Sequence, residues 1–314
     1  MSILLLVCVG AGVLVLGVLL GRYYVPDTRP LRRAAKEGAM YIRGLNHVLA
    51  RNNDAAIAEL TRAVSENTGT VETYFALGVL FRERGEHERA VRVHQSILVR
   101  ADVNRRLRLE ARFQLGLDFE AAGFLRRARK AFEEVLENSP KHVGAAEKLL
   151  SLHEADGDWE RAWKALRRLE KVTKKRDEVH ASHLLAEMGL VAMEAGELGL
   201  AKKHLRHAIG AHPEGLHPRH ARALWLRRAG KTRAAAELWL ECLGAAPDLA
   251  AYFLPHLESA FEELGDLDGL ARRLDTLSAE RPESAQLGLA RARFVGRRDP
   301  ARALELLRQV IANA

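Results

Sequence analysis

The chain has 314 residues, 29% of them charged, and a formal net charge of +8. Acidic residues are spread among the basic ones and the few aromatic residues do not alternate with arginine clusters, so a nucleic-acid-binding protein is not predicted. The two cysteines, Cys8 and Cys242, are too few for a zinc ribbon and lie too far apart along the chain to indicate a disulfide framework.

The first segment of the chain is apolar and uncharged from Ile3 to Gly21. Nineteen residues form about 28 Å of α-helix, close to the ~30 Å thickness of a bilayer core. No basic region precedes this segment and no cleavage signal follows it. We therefore predict a retained transmembrane anchor over residues 1–21 rather than a removable signal peptide.

A basic linker, residues 22–36, follows the apolar segment. Lysine and arginine close to a membrane span favour the cytoplasmic side, so the rest of the chain is predicted to be cytoplasmic, with the inner membrane as its location. Basic side chains at this position are also suited to contact anionic lipid headgroups. The predicted lipid-facing residues are Arg22, Arg29, Arg32, Arg33 and Lys36.

Two glycines in the apolar segment, Gly17 and Gly21, have the spacing that lets two transmembrane helices approach closely. Association of two such helices and a plain anchor are both compatible with this spacing. The sequence leaves the oligomeric state open.

Beyond residue 36, apolar residues recur at helical spacing, and no segment sustains the alternation of a β-strand. Glycines recur at intervals of 34 to 39 residues, and a period near 34 is typical of tetratricopeptide repeats. Five residues after each glycine stands a small or aliphatic residue, where the second helix of a pair must approach the first closely. The glycines are Gly85, Gly123, Gly157, Gly196, Gly230 and Gly265, and the later residues are Ala90, Ala128, Ala162, Ala201, Ala235 and Leu270.

These patterns predict an all-α fold in which an N-terminal transmembrane helix precedes a superhelical solenoid of about seven to eight helix pairs over residues 37–314. Charged insertions at residues 101–106 and 172–179 should lengthen the loops or helices there. The eighth pair, from Glu283, is degenerate because residues 297–300 replace the glycine turn. The earlier pairs are predicted to start at Glu37, Val71, Leu109, Val143, Ser182, Leu216 and Ala251.

The first helices of such a solenoid form a concave surface, which is its default site for binding a partner. Two sets of residues are predicted to point into it. We call Phe75, Val79, Arg82, Phe113 and Leu117 the N-terminal groove, and His217, His220, Arg227 and Arg228 the C-terminal groove. The C-terminal groove would suit an acidic partner segment, and a solvated basic face is the alternative.

Catalytic motifs are missing from the sequence: it contains no glycine-rich phosphate loop, nucleophile elbow or His-Glu-x-x-His. A non-enzymatic protein without a cofactor is therefore predicted. Three histidine pairs lie three residues apart and could meet on one helix face, but no third ligand accompanies any pair. We interpret His180 with His183, His204 with His207, and His217 with His220 as ordinary histidines on arginine-rich helices and predict no metal site.

The motifs of the first two repeats resemble the lipopolysaccharide assembly protein B family. The resemblance rests on Tyr41-Ile-Arg-Gly-Leu-Asn46, on residues 68–72, on residues 77–86 and on residues 89–95. It is sharpest over residues 39–98. His94 with Gln95 is its most distinctive element, because an ordinary repeat would place an aromatic residue at position 94.

This resemblance implies a scaffold in the Gram-negative inner membrane that adjusts lipopolysaccharide output. Its expected partners are proteins, the membrane protease FtsH and lipopolysaccharide-synthesis enzymes, together with membrane lipids. It would help FtsH to degrade the deacetylase that commits precursor to lipid A. Family members end in a rubredoxin-like metal ribbon with two Cys-x-x-Cys pairs, and the present sequence has no such pair, so metal binding by a ribbon is not expected.

Two other classes of function remain open. A general inner-membrane tetratricopeptide scaffold or chaperone for envelope biogenesis or secretion would share every feature except the motifs of the first two repeats. A chaperone on the outer side of the membrane would need the opposite orientation, which the basic linker disfavours.

Overall fold

A computed structural model of the chain describes residues 2–24, 29–65, 70–101 and 103–313. Only the backbone is described for residues 2–5, 23–24, 29–34 and 36–37. Within these ranges all regular structure is helical, so the all-α prediction is confirmed. The chain divides into two compact units, residues 1–145 and residues 146–314, and the boundary falls in the first turn of α8.

The first unit contains a single helix followed by three helix pairs. The helices are α1 (Ser2–Tyr24), α2 (Arg29–Leu49), α3 (Asn53–Ser65), α4 (Val71–Glu83), α5 (His87–Val99), α6 (Arg105–Ala121) and α7 (Leu125–Asn138). Pairs one to three are α2–α3, α4–α5 and α6–α7. The second helix of a pair packs on the first helix of the next, and α4 also contacts α6.

The second unit continues the same pattern with pairs four to eight. Its helices are α8 (Val143–Ala155), α9 (Trp159–Thr173), α10 (Glu178–Glu194), α11 (Leu198–Ala211), α12 (Leu216–Arg228), α13 (Thr232–Ala245), α14 (Ala250–Glu263), α15 (Leu267–Glu280), α16 (Ala285–Gly296) and α17 (Pro300–Asn313). The first helices of successive pairs lie side by side, as α10 does with α12 and α14 with α16. The degenerate eighth pair is therefore formed, with Ala303 buried.

Helix α1 carries exposed leucine and valine side chains between residues 6 and 20. None of the helices in the described part of the chain is long and apolar enough to cross a membrane. The structure thus gives no support to the predicted transmembrane helix, and the boundaries predicted at residues 21 and 36 stay predictions.

The other predictions for the N-terminal region are also left open. Gly17 and Gly21 have no atoms within 4 Å of the position that a Cβ would take, so neither contacts another part of the described chain. Arg22 is exposed. The side chains of Arg29, Arg32, Arg33 and Lys36 lie outside the described residues.

The predicted hinge glycines explain how each pair turns. All six, from Gly85 to Gly265, have φ angles between +69° and +81°, the left-handed conformation that glycine adopts without steric cost. The six residues five positions later, from Ala90 to Leu270, are completely buried. The predicted hinge positions are therefore confirmed, whereas the predicted starts at Glu37, Leu109 and Ser182 fall inside α2, α6 and α10.

A second close contact lies within the pairs, where a glycine of the first helix faces a large side chain of the second. A Cβ on Gly44, Gly116 or Gly189 would lie 2.4 to 2.7 Å from the nearest atom of Leu60, Phe132 or Leu205. In pair two the residue that covers Gly78 is His94, at the same offset of 16 residues. Each glycine thus makes room for one buried side chain.

The two charged insertions lengthen first helices. Helices α6 and α10, which follow them, have 17 residues each, whereas α4, α8 and α12 have 13. The second insertion also supplies an exposed loop at residues 174–177. In the first insertion Val103 is buried, so that segment is anchored rather than wholly exposed.

We predict that Ala128→Trp destabilises the fold by about 1 to 3 kcal/mol or more, because an indole cannot fit where α7 approaches α6. Ala128 is completely buried, whereas Lys175 lies in the exposed loop. Urea unfolding measures the difference, with Lys175→Trp as the control that should be nearly neutral. Equal losses of unfolding free energy in the two variants would show that the repeat register is wrong.

Candidate functional site

The N-terminal groove lies on the two neighbouring first helices α4 and α6. Phe75, Val79 and Arg82 are spaced at i, i+4 and i+7 on α4, which places them on one helix face. Phe113 and Leu117 are one turn apart on α6. All five side chains are partly buried, so the structure brings the predicted set together as a half-buried surface.

Arg82 is tied into a polar network between pairs two and three. Its Nη1 donates to Asp118 Oδ1 at 2.7 Å, and its Nη2 donates to Gln114 Oε1 at 2.9 Å. The other carboxylate oxygen of Asp118 lies 2.5 Å from His94 Nδ1. Asp118 and His94 are both completely buried, whereas the Arg82 side chain keeps 17% of its exposure. This network joins α4, α5 and α6.

The network follows from the position of His94. Gly78 leaves space for a large side chain of α5, and in pairs one and three the equivalent residues are the apolar Leu60 and Phe132. A buried imidazole needs a hydrogen-bond partner, since an unsatisfied buried polar group costs about 1 to 3 kcal/mol. Asp118 supplies that partner, and Arg82 neutralises its charge. The other nitrogen, His94 Nε2, makes no hydrogen bond with any described residue.

Arg82 therefore does not behave as the sequence led us to expect. The sequence places Arg82 in the open N-terminal groove, where the charge of an exposed arginine could be reversed without unfolding the array. The expectation is wrong because Arg82 is the counter-ion of a completely buried carboxylate. Removing one partner of a buried ion pair leaves the other uncompensated and costs about 3 to 5 kcal/mol.

In the C-terminal groove, His220 is buried rather than presented to a partner. Trp239 Nε1 donates to His220 Nδ1 at 3.0 Å, and the hydroxyl of Tyr252 lies 3.0 Å from His220 Nε2. His256 stacks on Trp239 with ring centroids 5.2 Å apart. Burial, with smaller contributions from His256 and His217, lowers the pKa of His220 to about 4. The residue is a neutral core histidine at physiological pH.

His217 lies beside an acidic residue of the preceding pair. Its Nε2 is 2.9 Å from Glu187 Oε1, and its ring centroid is 4.8 Å from that of His183. Burial lowers the pKa of His217, Glu187 opposes this shift, and His183 adds to it. His217 on α12 therefore makes these contacts with the neighbouring helix α10.

The two arginines of the C-terminal groove differ from each other. Arg227 donates to Ser259 Oγ at 2.7 Å and to Glu263 Oε2 at 3.3 Å on α14. Arg228 is exposed. The four predicted residues consequently do not form one shared basic surface: His220 is inside the fold, His217 lies beside Glu187, and Arg227 pairs with Glu263.

The other histidines also find separate surroundings. His180 contacts Glu154 of α8 rather than pairing with His183. His204 is partly buried, and burial together with Lys203 and His207 lowers its pKa. The interpretation of His180 and His204 as ordinary histidines stays a prediction.

Several residues of these clusters were missed at the level of sequence. Asp118 carried a usable signal, because it occupies the register position of the buried Leu80 and Leu152 in neighbouring pairs. A carboxylate at such a position needs a buried partner. Glu187 and Tyr252 gave no comparable signal, since partly exposed polar residues are common on first helices.

The paired helices and their half-buried first-helix surfaces define a protein of the tetratricopeptide repeat class. Family profiles described as tetratricopeptide repeat match residues 73–109 and 113–178. The solved structure of Naa15/Naa10 bound to HypK-THB is similar over 94% of this chain and 49% of that chain, with a TM-score of 0.57 and 16% identity. At this identity the similarity shows the fold alone.

Curated relatives give a more specific assignment. Lipopolysaccharide assembly protein B of Escherichia coli (strain K12) is 30% identical over 225 residues, which are 72% of this chain and 58% of that protein. The protein of the same name from Haemophilus influenzae is 24% identical over 237 residues, 73% of this chain and 59% of that protein. Over the aligned residues, the chain belongs to the lipopolysaccharide assembly protein B family, and the predicted resemblance is confirmed. The chain spans less than two thirds of the length of these relatives.

We predict that Arg82→Glu lowers the free energy of unfolding by about 3 to 5 kcal/mol, because it places a second carboxylate against buried Asp118. Chemical denaturation of the variant measures the loss. Arg92→Glu is the matched control, since Arg92 is an exposed arginine on α5. Its ion pair with Glu88 is long, at 4.0 Å, and both side chains are exposed. The control should change stability by no more than about 0.5 kcal/mol. An equally small effect of Arg82→Glu would contradict the network.

We predict that buried His220 makes the protein less stable at low pH. Its pKa falls from an ordinary 6.5 to about 4 on folding, so between these values the unfolded chain binds a proton that the folded chain does not. The free energy of unfolding should therefore fall as the pH drops below about 6.5, by about 2 kcal/mol at pH 5 from this residue. The free energy of unfolding is measured at pH 7 and at pH 5 for the wild type and for His220→Gln. The change between the two pH values is then compared for the two proteins. An identical change in the two proteins would contradict the assignment.

Proposed function

We propose that the chain is a non-enzymatic scaffold that regulates lipopolysaccharide synthesis, by linking the membrane protease FtsH to the deacetylase of the lipid A pathway. The proposal is supported by relatives named for lipopolysaccharide assembly and by a repeat fold whose usual role is to bind proteins. The named relatives are also consistent with an envelope protein. A general scaffold or chaperone for envelope biogenesis is the alternative, and it predicts other partners.

The observation that carries this proposal is the coincidence of the most distinctive sequence motifs with the N-terminal groove. The motifs of residues 77–86 and 89–95 supply Arg82 and His94, whose network holds α4 against α6. The partly exposed Val79 and Leu117 lie on these same two helices. A network that fixes two first helices also fixes the surface between them. A fixed surface favours tight binding because it loses little conformational freedom when a partner binds.

Membrane anchoring through α1 is part of the proposal. The leucine and valine side chains between residues 6 and 20 of this helix are exposed, and a contiguous apolar surface of this kind favours contact with lipid or protein. The basic residues that follow it in the sequence favour a cytoplasmic location for the repeats. An anchored scaffold would hold its partners close to the membrane, where lipid A precursors are used.

We predict that Val79→Lys combined with Leu117→Lys abolishes binding of FtsH and of the deacetylase while the protein remains folded. Partly exposed apolar residues that anchor a partner contribute about 2 kcal/mol or more, and a charged side chain cannot occupy the same partner pocket. Detergent extracts of native membranes are captured on the tagged chain and probed with antibodies against the two partners. Lipopolysaccharide is quantified in the same cells, and its level should change.

The matched control places the same two lysines on second helices. Gln95 on α5 and Glu133 on α7 are both exposed, so Gln95→Lys with Glu133→Lys should leave capture and lipopolysaccharide unchanged. Circular dichroism and thermal unfolding establish that both variants fold. If the groove variant is folded and still captures both partners at the wild-type level, the N-terminal groove is not the working surface. Capture of neither partner by the wild type would favour the general scaffold.

A further inference from the structure

Three side chains that commonly bind transition metals meet on the first helices of pairs five and six. His183 and Glu187 are one turn apart on α10, and His217 projects from the neighbouring α12. One donor atom from each of the three lies within 4.8 Å of the others. Among the residues that the structure describes, this is the one group of three such ligands in which a metal ion could be held.

His217 supplies a second observation, a buried nitrogen without a hydrogen-bond partner among the described residues. Its Nε2 is buried and makes no hydrogen bond of acceptable geometry within the described chain, although Glu187 Oε1 is only 2.9 Å away. The side chains of His217 and Glu187 keep 37% and 21% of their exposure, and His183 is exposed. An ion could therefore enter from solvent and reach all three groups.

We propose that His183, Glu187 and His217 bind one divalent transition-metal ion of the Zn²⁺ type. Two imidazole nitrogens with one carboxylate oxygen form a donor set suited to Zn²⁺, whereas Ca²⁺ and Mg²⁺ prefer oxygen ligands alone. Ligand bonds of about 2.0 to 2.2 Å in tetrahedral geometry place the donor atoms about 3.3 Å apart. The three donor atoms, which lie within 4.8 Å of one another, would close to about this separation on binding.

The site would have two consequences for the second unit. It would tie α10 to α12 by bonds that do not depend on apolar packing, and metal binding would stabilise the folded state in proportion to the concentration of free ion. Three protein ligands leave the fourth position open to water. This inference is independent of the proposed partners, because it concerns residues outside the N-terminal groove.

Zinc titration of the full chain, purified in mild detergent without a histidine tag, tests the proposal. Competition with a chromophoric chelator gives the stoichiometry and the affinity, and the visible absorption of bound Co²⁺ reports four-coordinate geometry. We expect one ion per chain in the wild type. His183→Ala, Glu187→Gln and His217→Ala should each weaken binding more than about tenfold, since even loss of a residue that only supports a ligand costs 10- to 100-fold.

The control removes a histidine pair that has no such cluster. The double variant His204→Ala with His207→Ala, on α11, deletes two histidines three residues apart and should bind one ion with the wild-type affinity. Thermal unfolding without metal establishes that each variant folds, and added Zn²⁺ should raise the unfolding temperature of the wild type and the control only. The proposal is overturned if the wild type does not compete with the chelator. It is also overturned if the three single variants bind as the wild type does, or if the control loses the ion.

Discussion

The structure depends on one constraint, the close approach of the two helices within each pair. On the second helix a small or aliphatic buried residue lies five positions after each hinge glycine, and in several pairs a glycine of the first helix lies beneath a large side chain of the second. Because protein interiors are close-packed, the side chain at this position determines how the helices fit together. Leu60, Phe132 and Leu205 fill it with apolar atoms, and pair two fills it with His94.

That single polar substitution has effects beyond its own pair. A buried imidazole at the helix contact requires an acceptor, the acceptor is Asp118 from the next pair, and the buried carboxylate in turn requires Arg82. Pairs two and three are thus joined by charge-assisted hydrogen bonds in addition to packing. The groove residues Val79 and Leu117 lie on the same two helices as Arg82 and Asp118. Elsewhere, as around Leu257 and Leu270, the core between helices is mainly apolar.

The periodic features of the fold could be predicted from sequence because they are local. A glycine that must adopt positive φ and an alanine that must fit a close contact each recur at a fixed offset, as Gly123 and Ala128 do. The polar clusters could not be predicted in full because their partners come from different pairs. His94 and Asp118 are 24 residues apart, and His183 meets His217 across 34 residues. The contacts between residues of neighbouring helices depend on how the two helices are rotated and separated. The apolar pattern of the sequence defines this arrangement only to about one helical turn. His220 shows the same limit, because its burial depends on Trp239 and Tyr252.

His94 and Asp118 act as one buried unit that joins pairs two and three. A double-mutant cycle measures this most directly, with His94→Ala, Asp118→Ala and the double variant compared with the wild type by urea unfolding. If the two residues act together, the double variant should lose less stability than the sum of the single variants, with a coupling energy of about 1 to 3 kcal/mol. Additive losses, with no coupling beyond about 0.5 kcal/mol, would contradict the claim.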